Sequence, residues 1–318
     1  MNTDIVVSCF DGISVGKVAI DRLKSRVSKY YAFEIDKWAI KKSRDNHPDI
    51  IHCGDIKGWK NFSRLPSNEK VDLLLAGFPC QSHSIAGNRA GLDDTRGNLL
   101  YDLLDIIEYY RPKKFLLENV KGFLSSNKGA AHRMLLEKLK SFGYDVHWNV
   151  LNSSLVSAQN RERVYYTNFP VNPPQDRGII LADILEDGYV DRDKSYCIDA
   201  NYFKGGNYKS YFGKGRRQLV FDKPIQVGEA DLNGHDILKR VYGRNGKSPT
   251  VSAHAGGNQE PKVDVGEGKG WRKLTPKECE RLQTLPDDYT KGISNTQRYK
   301  TLGNSWTAEM IVEILKQM

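Results

Sequence analysis

The sequence predicts an α/β protein, a doubly wound, mostly parallel Rossmann-like sheet joined to a smaller, irregular, β-rich domain. Three observations predict it. Over the first 170 residues short apolar runs alternate with helical patterns, as successive βαβ units require. Several runs end in polar residues capable of chemistry, at the sheet edge where open α/β sheets gather ligands. From about Pro170 the texture changes to PVNPPQDRG, and then to a stretch rich in glycine, tyrosine and lysine.

Each element follows from its local pattern. Residues 5–9, 29–33, 50–52, 71–76, 115–117, 146–151 and 163–167 are apolar runs of strand length, too short to be helices. Residues 99–109 (LLYDLLDIIEY) carry apolar side chains at helical spacing, and residues 131–142 repeat the pattern until Gly143 stops it. No clear helix is expected between residue 170 and Thr275. Residues 307–316 (TAEMIVEILK) are amphipathic and are expected to return to the first domain and close its sheet. Residues 1–170 plus 294–318 are therefore read as the first domain, and 171–293 as the second domain and hinge.

Composition narrows the partners. The 318 residues give room for one large and one smaller domain. Forty-eight Lys and Arg against 39 Asp and Glu leave a formal charge of +9, which favours an anionic partner. The five cysteines, Cys9, Cys53, Cys80, Cys197 and Cys279, are odd in number and lack CxxC spacing, so neither a disulfide framework nor a metal site is expected. Cys9 and Cys53 sit inside strands and are read as core. The N-terminus lacks a basic region followed by a long apolar core, and no segment approaches membrane-spanning length. A cytoplasmic protein without membrane association is expected.

The chemistry concentrates at two strand ends. Gly77-Phe78-Pro79-Cys80-Gln81 follows the run at 71–76, and Glu118-Asn119-Val120 follows the run at 114–117. A thiol and a carboxyl held side by side suit attack on an electron-poor ring such as cytosine: the thiolate adds to carbon while the acid hydrogen-bonds the ring nitrogen. A loop, Phe10-Asp11-Gly12-Ile13-Ser14-Val15-Gly16, follows the first strand and opens a helix. It is not GxGxxG, so a dinucleotide pyrophosphate is disfavoured and a nucleoside without phosphates is left open. Glu34 ends the second strand, where a carboxylate can accept ribose hydroxyls, and Asp55 follows the third. S-adenosyl-L-methionine satisfies all three positions. Taken singly, each reads more readily as a turn residue or a solvated strand end.

In family order these motifs resemble the DNA cytosine-5 methyltransferases along nearly the whole chain. FDGISVG is similar to that family's cofactor loop, PCQ to its nucleophile motif, ENV to its carboxylate motif and Gln159-Asn160-Arg161-Glu162-Arg163 to its QxRxR. RKLTPKECERLQTLPDDYT resembles the scaffold before the terminus, and Leu302-Gly303-Asn304-Ser305 the last cofactor motif. FDGISVG in place of FxGxGG, Ser157-Ala158-Gln159 and Trp306 lean toward the de novo-like branch, as found in compact phage and bacterial enzymes. The resemblance implies a Rossmann-like methyltransferase sheet with a target recognition domain. It implies Cys80 as nucleophile, Glu118 at ring nitrogen 3, and Arg161 and Arg163 on the cytosine carbonyl and backbone phosphate. Asn119 is expected to orient the loop. The implied cofactor is S-adenosyl-L-methionine, with S-adenosyl-L-homocysteine as product. Its candidate contacts are Phe10, Asp11, Gly12, Ile13, Gly16, Glu34, Ile35, Asp55, Ile56, Pro79, Asn304 and Ser305. No metal is implied.

The implied partner is double-stranded DNA, bound by a monomer that is either solitary or the protective half of a restriction endonuclease system. Residues 81–98 carry glycines and Arg89 and Arg96, and are expected to close over DNA with Gln81 and Ser82 at the base. Residues 195–218 interleave basic residues with Tyr, Phe and Gly, which makes Lys204, Lys209, Lys214, Arg216 and Arg217 candidate DNA contacts, with Arg244 in a second stretch. A transfer-RNA cytosine-5 methyltransferase and a catalytically idle DNA-binding relative are the alternatives.

Overall fold

The computed structural model describes residues 3–61, 70–79, 99–204, 211, 214, 217–221, 226–229, 240–242 and 271–318. Seven strands form one sheet: β1 (Ile5–Cys9), β2 (Lys29–Phe33), β3 (Ile51–Gly54), β4 (Leu73–Gly77), β5 (Lys114–Val120), β6 (His147–Asn152) and β7 (Glu162–Thr167), in the order β3-β2-β1-β4-β5-β7-β6. The first five are parallel; β7 runs antiparallel to both β5 and β6. The order reverses between β1 and β4, so the crevice beyond their C-terminal ends is the switch point at which such sheets take ligands.

Both faces of the sheet are covered, which is why its central strands read as unbroken apolar runs rather than as alternations. On one face Val7, Leu74, Ala76, Phe115, Leu117 and Tyr166 pack against α3 (Leu99–Tyr110) and α4 (Ala130–Ser141). On the other, Val6, Ala32, Leu73, Leu75 and Leu116 pack against Ala19 and Ile20 of α1 (Val15–Arg22). Cys9 and Cys53 both lie in the first of these clusters, as core. The helix expected at 307–316 is α7 (Ala308–Leu315), which returns to this second face through Met310, Ile311, Ile314 and Leu315.

Three helices carry weaker apolar patterns and owe their ends to local bonds. In α2 (Lys37–Asn46) the Asp36 side chain caps the N-terminus by accepting from Trp38 N and Ala39 N. In α5 (Pro276–Leu282) Thr275 and Glu278 form a reciprocal capping box. α6 (Asn295–Asn304) has few apolar positions and is held by Tyr299 and Leu302. A third core cluster joins Ile13, Val15 and Val18 to Leu181, Ile184, Ile198 and Tyr202, and to Leu274, Leu282 and Leu285. Two small antiparallel ladders complete the described structure, β8 (Leu219–Phe221) with β11 (Trp271–Lys273) and β9 (Gln226–Glu229) with β10 (Arg240–Tyr242). Among the described residues no helix is long and apolar enough to cross a membrane.

One boundary difference bears on the site. β5 extends through Glu118, Asn119 and Val120, where the sequence suggests a strand ending at Leu117. The extra length comes from β7, whose Tyr165, Val164 and Arg163 pair with those three residues.

Candidate active site

The ends of β4 and β5 are locked side by side, Gly77 standing opposite Glu118 in the parallel register. Asn119, itself buried, donates from Nδ2 to Phe78 O at 3.0 Å, while its Oδ1 accepts from Val120 N at 2.8 Å. The chain at Phe78 is thus tied to the carboxylate strand. Pro79 is exposed. Cys80, Gln81, Ser82, Arg89 and Arg96 lie outside the described residues.

Glu118 is only 7% exposed. Its Oε1 lies 3.0 Å from Arg163 Nε, and Arg163 also donates to Glu162 O at 2.8 Å. A largely desolvated, charge-assisted pair of this kind fixes both side chains more firmly than an exposed pair does. Tyr165, paired with Glu118 across the ladder, has its hydroxyl pushed well up by burial and by the Glu118 charge, so it stays protonated.

Arg161 stands differently from the sequence expectation of a base contact. It precedes β7, is 3% exposed, and spends both terminal nitrogens on the protein: NH1 donates to Ile198 O at 3.2 Å and Cys197 Sγ at 3.3 Å, NH2 to Ser305 O at 2.8 Å and Gly303 O at 3.2 Å. With the guanidinium fork occupied, no paired donors face the cleft. The strand alternation that groups Arg161 with Arg163 starts only at Glu162.

The loop after β1 is wound tightly. Phe10, Gly12 and Ser14 all take left-handed backbone angles, φ 58°, 60° and 63°, and for a residue as bulky as Phe this is strain that the surroundings must hold. Several bonds hold it. Asp11 N donates to Phe33 O at 3.0 Å, and Gly12 N to Glu34 Oε2 at 2.8 Å. The Asp11 carboxylate accepts from the Ser14 hydroxyl and from Tyr30 OH, the latter at 2.8 Å. Burial pushes that carboxyl up to about 6 against the pull of these bonds. Tyr289 OH reaches Ile13 O at 2.7 Å from the far end of the chain.

Glu34 also accepts from Ile35 N and Asp36 N, both at 2.8 Å on Oε1. Three amides therefore aim one carboxylate, leaving about one of its four acceptor directions for a hydroxyl. Ile35 beside it is 71% exposed, a large apolar surface at the cleft. Asp55 is exposed and accepts from Lys57 N at 3.0 Å. The side chains of Ile56 and Ile13 turn inward instead, into the first and third core clusters. Gly16 is a packing glycine, since a Cβ there would stand 2.6 Å from Leu75 Cδ1 and 3.0 Å from Tyr30 OH. Asn304 is exposed, whereas Ser305 is buried with its hydroxyl on Leu302 O at 2.9 Å.

Trp306 is the residue that sequence reasoning missed as part of the site. Its indole lies between the start of α1 and the end of β4: a Cβ on Gly77 would stand 2.8 Å from its Nε1, and one on Gly16 3.7 Å from its Cζ3. The signal was present, because a tryptophan directly after Gly303-Asn304-Ser305 has to be housed somewhere near that motif. Of the candidate DNA contacts, Lys204 and Lys214 are exposed. Arg217 is partly buried at φ 61°, with an Nε that has no partner among the described residues. Lys209, Arg216 and Arg244 lie outside the described residues. Among the described residues no cluster of His, Cys, Asp and Glu could hold a metal ion.

A carboxylate–arginine pair at the C-terminal edge of a doubly wound sheet, on the strand beside the one that runs toward Cys80, is an arrangement suited to chemistry on a bound base. The family model for C-5 cytosine-specific DNA methylases matches residues 5–318, and the chain belongs to that family. It is 31% identical over 329 residues to the Type II methyltransferase M1.ScrFI of Lactococcus lactis subsp. cremoris, covering 98% of this chain and 77% of the relative. It is 32% identical to M.HpaII of Haemophilus parainfluenzae, covering 94% and 84%, and 26% identical to the orphan methyltransferase M.SPBetaI of Bacillus phage SPbeta, covering 98% and 97%. Among solved structures, Entamoeba histolytica EhMeth superposes with a TM-score of 0.69 at 17% identity, covering 100% of this chain and 98% of the other. A Spodoptera frugiperda DNMT2 mutant gives 0.66 at 21%, covering 98% of each. These two likenesses speak to the fold.

Proposed function

We propose that the protein methylates carbon 5 of cytosine in duplex DNA, working on a base flipped out of the helix and held through a covalent bond to Cys80. The observation that carries this reading is the largely desolvated Glu118–Arg163 pair, 3.0 Å apart, with Glu118 on β5 beside the strand that leads toward Cys80 and Arg163 on β7. The description of the family, C-5 cytosine-specific DNA methylases, supports DNA as the substrate, and the relatives' names support methyl transfer.

In this reading the Cys80 thiolate forms a bond to carbon 6, and the ring electrons move toward nitrogen 3, where Glu118 hydrogen-bonds. Arg163 holds Glu118 in place and faces the cytosine carbonyl. Carbon 5, made nucleophilic, takes the methyl group; loss of its proton then re-forms the double bond and releases the thiolate. Unstacking the base costs a few kcal/mol, which contacts to the DNA backbone offset. Residues 171–293 are proposed as the target recognition unit, with the exposed Lys204 and Lys214 on its DNA side.

The residues present fit S-adenosylmethionine: Glu34 offers an aimed acceptor for ribose, exposed Ile35 an apolar wall for adenine, and Asp55 an acceptor for an amino group. When bound, the cofactor supplies an electrophilic methyl group. Gly12, Glu34 and Trp306 shape the pocket that would hold it beside the Gly77 end of β4.

The test is incubation with labelled S-adenosylmethionine and, separately, duplex DNA and transfer RNA, with Cys80→Ser as control and base-resolution sequencing of the product. Label in DNA as 5-methylcytosine, absent with Cys80→Ser, is the expected result. Label in transfer RNA alone would replace DNA by RNA as substrate, and label in neither would make the chain an idle binder.

A further inference from the structure

Behind the candidate active site, four segments far apart in sequence meet in a buried polar network. Gln159 and Arg161 come from the turn before β7, Ile198 from the stretch at 195–199, Gln283 from just after α5, and residues 303–307 from the end of α6 and the turn into α7. Gln159 Oε1 accepts from Ile198 N at 3.0 Å, and its Nε2 lies 3.4 Å from Gln283 Oε1. Gln283 donates to Leu302 O at 2.8 Å and accepts from Thr307 Oγ1 at 2.9 Å. Arg161 spans the whole, with two acceptors at 197–198 and two at 303–305.

The physics makes this more than a set of staples. Arg161 is a buried cation, and no carboxylate among the described residues lies within ion-pair distance of it. A charge so placed is tolerated only if its donors stay satisfied, because an unpaired buried donor costs the full desolvation of the group. A shift of the 197–198 carbonyl or thiol away from NH1 is therefore resisted unless the 303–305 side moves with it. The two sides are also in direct contact. A Cβ on Gly303 would stand 2.2 Å from Asp199 C and 2.4 Å from Ala200 N, so the 199–200 backbone lies against that glycine. The 195–199 stretch begins the segment read as DNA-facing, and Asn304 and Ser305, next to Trp306, are the residues read as cofactor contacts.

We propose that Arg161 is a positioning residue that couples the two: DNA engaging the 195–199 side sets the 303–306 turn, so that DNA and cofactor bind cooperatively through this guanidinium. The proposal rests on the reading that the protein binds DNA and S-adenosylmethionine. Coupling between sites is reciprocal, so each ligand should tighten the other by the same factor.

The experiment is calorimetric titration of the full chain with S-adenosylhomocysteine, with and without long mixed-sequence duplex DNA, for wild type, Arg161→Lys and Arg163→Lys. Wild type should bind the nucleoside roughly fivefold or more tightly with DNA present. Arg161→Lys, which keeps the charge but not the fork, should bring that ratio close to one. Arg163→Lys should keep the ratio while losing methyl transfer. A ratio in Arg161→Lys equal to wild type, or a ratio of one in wild type, overturns the proposal. Should Arg161→Lys melt below the assay temperature, Cys197→Ala, which removes one acceptor from Arg161 NH1, takes its place: a lowered ratio supports the coupling and a ratio equal to wild type overturns it. Methyl transfer to DNA by wild type is measured alongside: its absence sinks the functional reading, whereas transfer with an unchanged ratio sinks the coupling alone.

Discussion

Arg161 and Arg163 are two residues apart, yet their guanidiniums serve different partners: Arg163 lies 3.0 Å from the Glu118 carboxylate, while Arg161 holds four protein acceptors from 197–198 and 303–305. Cys197 touches both, at 3.3 Å from Arg161 NH1 and 3.9 Å from Arg163 NH2. One motif thus supplies an interior tie and a cleft-side charge.

Arg163→Lys should keep the fold and lower single-turnover methyl transfer by roughly a hundredfold to a thousandfold, the scale of losing one aimed donor. Lysine carries the charge without the fixed planar fork. Single-turnover kinetics at saturating DNA provide the measurement, and a loss under tenfold would remove Arg163 from the reaction.

Gly77→Ala should weaken both stability and S-adenosylhomocysteine binding, because the new methyl meets the Trp306 indole at 2.8 Å. Overpacking of this sort costs about 1–3 kcal/mol. Trp306→Phe in the same chain should return part of the loss, since a smaller ring vacates the contact. A double-mutant cycle by thermal melting and calorimetry reads the interaction directly; additive effects would show that the two residues do not collide.

Tyr289→Phe removes a single hydroxyl, the one that donates to Ile13 O at 2.7 Å and meets His47 Nε2 at 3.0 Å. The left-handed loop loses an anchor and a buried carbonyl loses its donor, at a cost of about 1–3 kcal/mol. We expect a rise in KM for S-adenosylmethionine with little change in DNA affinity. Unchanged KM would confine Tyr289 to core packing.

Asp11 ties the stability of the loop after β1 to pH. Its folded carboxyl is raised from 3.8 to about 6 by burial, so between those values the native state holds a proton that the unfolded chain has released. Stability from this group is full below about pH 3.8 and is lost as pH rises through about 6. Asp11→Asn should lack that component. The difference between wild-type and Asp11→Asn melting temperatures, taken across pH 4 to 7, should therefore change in the direction that favours wild type at the acid end. A flat difference would show that Asp11 is not raised in the fold.

Much of this protein is legible in its amino-acid sequence alone. Apolar runs of strand length, helical spacing at 99–109 and 307–316, and the loops that follow 5–9 and 71–76 determine a doubly wound sheet with chemistry at one edge, because burial on both faces writes itself into sequence as hydrophobic runs. Helices α2 and α6 are less legible: their stability comes from caps and from partners in other segments rather than from periodicity. Only the tertiary structure decides that Arg161 turns inward while Arg163 meets Glu118, that Ile56 and Ile13 belong to the core, and that Trp306 fills the space left by Gly16 and Gly77. Motif spacing names which residues stand close in the chain, whereas a buried charge or a large ring is placed by acceptors and vacant volume supplied from other segments, at 197–198 and 303–305 for Arg161 and at Gly16 and Gly77 for Trp306.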